Sequence, residues 1–230
     1  MGETEAWNAG SAAWVELVRD RDGPMHAHDA AILELLPPPR GSTVDVGCGE
    51  GRWTRDLTRR GYDVIGVDAA EAQVEAARAA DPAGRYEVAP VDELPVADES
   101  VELVLCVNVL MHVADLTAAS REFARVVRAG GAVVFGITHP VMEAGRYDEE
   151  RDELVLSGYF EHERHQIPLG EHHVEHHHRT IEEYVRTLIA AGFVVDDLRE
   201  VPGRTGSVPR YLDLRLVKLP GLDSNQQPSG

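Results

Sequence analysis

The chain has 230 residues, 43% hydrophobic and 27% charged, which allows one α/β domain with a sizeable core. Its 40 acidic and 22 basic residues give a net charge of −18. This charge disfavours nucleic acid as a substrate, because proteins that bind a phosphate backbone usually depend on basic patches. The sequence has no apolar run of the roughly 18–20 residues that a membrane span needs, and it has too few cysteines for a disulfide framework. Its acidic first residues lack the basic and apolar regions expected of a signal peptide. We therefore expect a cytoplasmic protein that has no membrane partner.

Two helices are predicted before the first strand. The apolar spacing of residues 7–18 indicates an amphipathic helix. A second helix over residues 27–36 ends at the prolines of residues 37–39, because proline disfavours helical geometry in the residue before it. We expect residues 1–40 to form a helical lid.

From residue 41 onwards, predicted strands and helices alternate, which favours a doubly wound parallel sheet with right-handed crossovers. The predicted strands are residues 43–46, 63–67, 86–89, 101–107 and 132–137, and the helices between them are residues 52–60, 71–80 and 118–127. Residues 101–107 are almost continuously apolar, as expected of a parallel strand covered on both faces.

The alternation stops at residues 140–179, a polar and histidine-rich insertion. Because a structureless loop of this length is rare inside a compact domain, we expect short strands or a lid. Thr180 and Glu183 have capping-box spacing and predict the start of a last helix, closed by Gly192. Residues 193–195 and 211–217 are predicted to form an antiparallel edge hairpin, and residues 221–230 a disordered tail.

The most informative segment is residues 44–51, Val-Asp-Val-Gly-Cys-Gly-Glu-Gly. It predicts a buried strand that runs through a glycine-rich turn into a helix. The spacing G-x-G-x-G differs from the G-x-G-x-x-G that places a dinucleotide pyrophosphate on a helix N-terminus, which argues against a nicotinamide oxidoreductase. A nucleoside with a zwitterionic tail fits such a turn, and S-adenosylmethionine matches that description.

Four sequence blocks in order make the chain resemble the class I S-adenosylmethionine-dependent methyltransferases, most closely the group acting on small molecules. The blocks are residues 44–51, Gly66-Val67-Asp68, residues 92–95 with 101–104, and residues 122–131. The resemblance covers residues 40–140 strongly and 176–217 more loosely. It implies a Rossmann-like, mostly parallel seven-stranded sheet with an antiparallel edge hairpin, and a methyltransferase domain over residues 41–220.

The resemblance implies that S-adenosyl-L-methionine is the cofactor and assigns residues to it. The residues implied to line the cofactor site are Asp45, Gly47, Cys48, Gly49, Gly51, Asp68, Ala69, Val91, Asp92 and Asn108. Asp68 is expected to bind both ribose hydroxyls, and Asn108 to line the methionine end. Asp45 is expected either to accept a hydrogen bond from the cofactor ammonium or to cap its own turn.

The adenine end departs from the family pattern, because Pro90 stands where the family commonly has an aspartate. Two alternatives remain open. Either Asp92 binds the adenine amino group, or the Val91 N–H and apolar packing hold the ring.

Methyl transfer requires a general base only when the nucleophile must lose a proton during attack. His139, after the fifth predicted strand, is the first candidate for that base, with a purely structural imidazole as the alternative. His112 is the second candidate.

The histidine-rich run of residues 172–178 has a density that suits zinc or nickel. In a strand, His172, His176 and His178 would share one face. Since the sequence has no second ligand cluster, we predict no metal site. The run is expected to line the acceptor pocket with Tyr147, Tyr159 and Phe160.

These features predict methyl transfer to an oxygen, nitrogen or carbon nucleophile of a small molecule by in-line displacement. A protein or tRNA methyltransferase and a non-catalytic S-adenosylmethionine-binding protein are the alternatives. The expected partner is the small-molecule acceptor, and the chain is expected to be a monomer or a homodimer.

Overall fold

A seven-stranded sheet forms the core of the computed structural model, which describes residues 2–20, 23, 26–148, 150–151, 153–203 and 206–220. In chain order the strands are β1 (Ser42–Val46), β2 (Asp63–Asp68), β3 (Tyr86–Val88), β4 (Val101–Val107), β5 (Val127–Thr138), β6 (Gly145–Asp148), β7 (Glu153–Leu156), β8 (Arg164–Leu169), β9 (His172–His177), β10 (Phe193–Pro202) and β11 (Pro209–Lys218). The predicted tail at residues 221–230 lies outside the described residues.

Helices cover both faces of this sheet. They are α1 (Glu3–Arg19), α2 (Asp29–Leu35), α3 (Arg52–Arg59), α4 (Glu71–Ala80), α5 (Leu116–Val126), α6 (Pro140–Glu143) and α7 (Ile181–Ala190), and a 3₁₀ turn spans Leu110–His112. Within the described ranges, none of the helices is long and apolar enough to cross a bilayer.

The strand order is β10-β11-β5-β4-β1-β2-β3. Strands β1 to β5 are parallel, and β11 pairs antiparallel with both β5 and β10. The chain builds outward from β1 through β2 to β3 and then returns to β4 on the other side of β1. Ligands of open α/β sheets bind at such a reversal, at the carboxyl ends of the strands. The predicted fold is confirmed.

Several helices begin or end where capping residues in the sequence predict. Thr180 and Glu183 form the reciprocal capping box at the start of α7. Gly61 and Gly192 follow the ends of α3 and α7 with φ of 91° and 106°, a conformation that favours glycine.

Other elements are longer than predicted. Strand β5 begins at Val127, directly after α5, and β10 continues to Pro202, well beyond the predicted 193–195. Strand β11 (Pro209–Lys218) is only slightly longer than the predicted 211–217. The added residues of β10 alternate between half-buried and exposed positions. Their hydrophobic pattern therefore does not predict a strand, because backbone pairing with β11 stabilises this edge of the sheet.

The insertion at residues 140–179 folds into α6 and two antiparallel hairpins, β6–β7 and β8–β9. The second hairpin packs against α1 and the 3₁₀ turn. Within the predicted N-terminal lid, α2 instead belongs to the core, because its Ile32 and Leu35 are fully buried beneath the sheet. Helix α1, the other helix of this segment, lies over the carboxyl ends of the strands.

Candidate functional site

A cavity of about 330 Å³ opens at the carboxyl ends of β1, β2 and β4. Its floor is formed by the first glycine turn and the loops after β2, β3 and β4, and α1 supplies the cover. The predicted residues that line it are Gly47, Gly49, Asp68, Ala69, Val91, Asp92, Asn108 and His112. Asp45, Cys48, Gly51 and His139 are not among the lining residues of the described chain.

The glycine turn is shaped by backbone conformation. Gly47, Gly49 and Gly51 have φ of 67°, 56° and 83°, which side chains disfavour. A Cβ at Gly47 would also overlap Val109 on the neighbouring loop. Gly51 caps α3, and the Cys48 thiol packs behind the turn, where burial raises its pKa. The turn therefore offers bare backbone to the cavity.

Asp68 ties this turn to the next helix. Its Oδ2 accepts from the Gly49 N–H at 2.9 Å, and its Oδ1 accepts from the Ala70 N–H at 2.9 Å. Burial raises the pKa of the carboxyl, although both hydrogen bonds oppose that rise. Because each carboxylate oxygen has a second lone pair, the held carboxylate can still accept from a diol in the cavity.

Asp45 points behind the turn. The residue is 1% exposed, its Oδ2 accepts from the Thr54 hydroxyl at 2.6 Å, and burial raises its pKa to about 7. Of the two roles predicted for Asp45, this arrangement resembles the local one, because its hydrogen bond joins β1 to α3.

A loop after β3 forms one wall of the cavity with Ala89, Pro90, Val91 and Asp92. Two residues of α5 hold the continuation of that loop. Glu122 Oε1 accepts from the Leu94 N–H at 2.6 Å, and Arg125 donates to the carbonyls of Leu94 and Val96 at 3.1 and 3.0 Å. This gives a physical reason for the Glu-x-x-Arg spacing of the fourth sequence block.

We predict that Arg125→Ala lowers the free energy of unfolding by about 1–3 kcal/mol, because it removes several charge-assisted hydrogen bonds to the loop. Arg121→Ala, at an exposed position of the same helix, is the matched control. Urea titrations of both variants measure the difference. Equal losses for the two variants would contradict this role of Arg125.

Helix α1 covers the cavity with Glu3, Thr4, Trp7 and Trp14. Asn8 fixes the helix to the floor, since its Oδ1 accepts from the Ala72 N–H in the first turn of α4 at 2.9 Å. The ring of Trp7 packs edge-on against Trp14 and against His112, with centroid distances of 5.5 and 5.0 Å. The cavity therefore has an aromatic cover next to an imidazole.

His112 lies on the 3₁₀ turn with one ring nitrogen fixed. Its Nδ1 is 2.7 Å from the Glu175 carbonyl of β9, so Nδ1 carries the proton and donates a hydrogen bond to that carbonyl. Burial lowers the pKa of His112 to about 4, which keeps the ring neutral near pH 7. Among the described residues its Nε2 has no protein partner. The geometry leaves an imidazole lone pair available in the wall of the cavity.

His139 has a different environment. Its Nδ1 accepts from the Val141 N–H at 3.3 Å and so caps α6, while Nε2 is 3.1 Å from Glu200 Oε1. Both nitrogens are thus engaged outside the cavity lining. This corresponds to the structural alternative for His139 and leaves His112 as the candidate base that borders the cavity.

The histidine-rich run forms β9 and the residue after it. His176 Nε2 and His178 Nδ1 lie 2.8 and 3.2 Å from the two carboxylate oxygens of Glu143 in α6. Burial raises the pKa of Glu143, but these two hydrogen bonds outweigh it and hold the pKa below its ordinary value. Across the described ranges, no group of three or more histidine, cysteine or carboxylate residues is arranged to hold a metal ion. The cluster joins β9 to α6 and so ties the end of the insertion to its beginning.

Gln73 in α4 is a cavity residue that the sequence motifs do not indicate. Its side chain is 1% exposed and lines the cavity, yet neither amide atom has a hydrogen-bond partner within the described part of the chain. Such a group is costly to bury unless a ligand completes it. The available signal was a polar residue beside Val74 and Ala77 on the buried stripe of the helix.

Comparison with known proteins places this geometry in context. A family profile described as "Methyltransferase domain" matches residues 44–135. The chain is 32% identical over 184 residues to a ubiquinone biosynthesis O-methyltransferase of Sinorhizobium medicae, covering 78% of this chain and 70% of the relative. An uncharacterized methyltransferase of Mycobacterium sp. (strain KMS) is 42% identical over 101 residues, a match that spans 44% of this chain and only 40% of that relative.

Among solved structures, an S-adenosylmethionine-dependent methyltransferase from Mesorhizobium loti superposes with a TM-score of 0.75 at 26% identity. The superposition covers 84% of this chain and 98% of that one. The likeness extends beyond residues 44–135 to most of the fold.

Proposed function

The chain belongs to the S-adenosylmethionine-dependent methyltransferases, and we propose that it moves the methyl group of this donor to an oxygen, nitrogen or carbon nucleophile of a small molecule. The observation that carries the proposal is one cavity lined both by Asp68 with the glycine turn and by His112 with Trp7. The first part suits a nucleoside with an amino-acid tail, and the second suits an acceptor that must lose a proton.

The residues of the cavity fit the donor by their chemistry. Asp68 offers carboxylate oxygens suited to ribose hydroxyls, and Gly47 and Gly49 leave room for the amino-acid tail against backbone. Gln73 supplies an amide whose donors and acceptor have no hydrogen-bond partner among the described residues. When bound, S-adenosylmethionine supplies an activated methyl group on its sulfonium centre, so no further activation of the donor is needed.

The contribution of the chain is then orientation and proton removal. Trp7 and the 3₁₀ turn enclose the acceptor and exclude water. His112 holds the lone pair of Nε2 toward a nucleophile that gives up a proton, while the Glu175 carbonyl fixes the ring tautomer. This role suits a hydroxyl or an amine acceptor. The name of the Sinorhizobium relative makes hydroxyl compounds the first class to test.

Two observations support a small acceptor over a macromolecular one. Helix α1 covers the cavity, which leaves a bounded space for the acceptor. The net charge of −18 opposes a nucleic acid, since its phosphates would be repelled.

The proposal is tested with purified protein, radiolabelled S-adenosylmethionine and panels of phenols, amines and carbon acids. We expect transfer of label to at least one panel and tight binding of S-adenosylhomocysteine by calorimetry. Tight binding without transfer to any acceptor would instead support the non-catalytic alternative. Absence of binding would contradict the proposal as a whole.

We predict that Gln73→Leu has opposite effects on stability and on binding. Removing a buried amide without partners should leave the free protein as stable or more stable, because its desolvation cost disappears. The same change should weaken S-adenosylhomocysteine binding roughly tenfold through the lost hydrogen bonds. Thermal melting without ligand and calorimetric titration measure the two effects. Equal losses in both would show that Gln73 is only structural.

A further inference from the structure

Three hydrogen-bonded polar side chains, two of them fully buried, lead from the sheet to the cavity. Asp213 of β11 and His28, the residue before α2, are both fully buried, and Asp213 Oδ1 lies 2.7 Å from His28 Nδ1. On the opposite side of the ring, His28 Nε2 lies 3.3 Å from Nδ2 of Asn108, which lines the cavity. The three residues are far apart in sequence and meet only in the fold.

The surrounding structure holds the imidazole in place. The ring of His28 stacks on Tyr211, with 4.2 Å between centroids and 9° between planes. Gly136 of β5 leaves the necessary space, since a Cβ there would overlap Asp213 Oδ1 and lie 2.9 Å from His28 Cε1. Asn108 has φ of 60°, and its N–H donates to the Gly136 carbonyl at 2.7 Å. Gly136 therefore makes room for Asp213 and His28 and also holds the backbone of Asn108.

The order of the groups sets the direction of the hydrogen bonds. Nδ1–H of His28 donates a hydrogen bond to the Asp213 carboxylate, which leaves Nε2 with a lone pair. That lone pair accepts from the Asn108 amide nitrogen, so the amide oxygen of Asn108 is turned to the other side. We propose that Asp213 and His28 are positioning residues that present Asn108 Oδ1 to the cavity as an acceptor for the ammonium group of S-adenosylmethionine. This inference rests on the proposed function.

The position of Asp45 supports this assignment. A cationic ammonium group needs acceptors around it, yet the Asp45 carboxylate is bonded to Thr54 and is not among the lining residues. An amide oxygen with fixed orientation meets that need without adding a charge.

The affinities of two ligands test whether Asp213 and His28 position Asn108 for the ammonium group. S-adenosylhomocysteine carries the ammonium group, and 5′-methylthioadenosine lacks the whole amino-acid part. We expect His28→Phe and Asn108→Ala to weaken S-adenosylhomocysteine roughly tenfold and to change methylthioadenosine affinity less than about twofold. His26→Gln is the matched control, because His26 lies in the same segment and bonds to Asp29 and the Val18 carbonyl. It should leave the ratio of the two affinities unchanged.

A spectroscopic measurement on the unmodified protein does not depend on how the variants fold. Nitrogen-15 NMR of the imidazoles should show His28 as a neutral Nδ1–H tautomer, and Asp213→Asn should reduce that preference. An Nε2–H tautomer in the wild type, or equal weakening of both ligands by His28→Phe and Asn108→Ala, would overturn the positioning role. Failure of the wild type to bind S-adenosylhomocysteine would instead refute the proposed function.

Discussion

Asp68→Ala is expected to weaken S-adenosylhomocysteine binding at least about a hundredfold, the largest binding effect of any single substitution in the cavity. The estimate follows from two hydrogen bonds between a charged carboxylate and ribose hydroxyls, each worth roughly 1.5–3 kcal/mol. The carboxylate also holds the Gly49 and Ala70 N–H groups, so its loss loosens the turn on which the ligand rests. Isothermal titration calorimetry measures the affinity.

Two further variants separate binding from folding. Asp68→Asn keeps an oxygen for a backbone N–H but loses the charge, and should weaken binding less than alanine does. Asp63→Asn, at the exposed opposite end of β2, should leave affinity unchanged. Retention of wild-type affinity by Asp68→Ala in a folded protein would remove the ribose role from this residue.

His112→Gln is expected to lower kcat by about 10²–10⁴-fold for an acceptor that loses a proton, which is the usual contribution of a general base. Affinity for S-adenosylhomocysteine should change less than about twofold, because the ring is expected to face the acceptor rather than the donor. Steady-state kinetics and calorimetry on the same preparation provide both values. A variant with normal kcat and weakened ligand binding would contradict the base role.

The pH profile gives an independent test of His112. Only the neutral ring accepts a proton, and burial lowers its pKa to about 4. The rate should therefore fall as pH decreases through about 4 and should be insensitive to this group above roughly pH 5.5. An inflection near the ordinary histidine pKa of about 6.5 that disappears in His112→Gln would contradict the buried, neutral state of the ring.

The fold was largely predictable because its signals are local. The apolar run of β4, the glycines after β1 and the capping box of α7 each determine a conformation within a few residues. The donor side of the cavity follows from them, since a strand that ends at Asp68 places its carboxylate at the sheet edge where β1 and its glycine turn also end.

The acceptor side was less predictable because its contacts join distant segments. His112 acquires its tautomer from a carbonyl of β9, and His139 is occupied by Glu200 of β10. The residues next to each histidine in the sequence do not indicate these partners, which lie about sixty positions further along the chain. The unpartnered amide of Gln73 and the hydrogen bonds of His28 could not be predicted for the same reason, because only tertiary packing brings their neighbours together.

A crystal structure of the complex with S-adenosylhomocysteine would show whether donor and acceptor share the cavity between Asp68 and His112. We expect ribose hydroxyls within hydrogen-bond distance of Asp68 and a sulfur atom that faces an open space bordered by His112 and Trp7. A complex in which the ligand lies outside this cavity, or in which no space for an acceptor adjoins the sulfur, would contradict it.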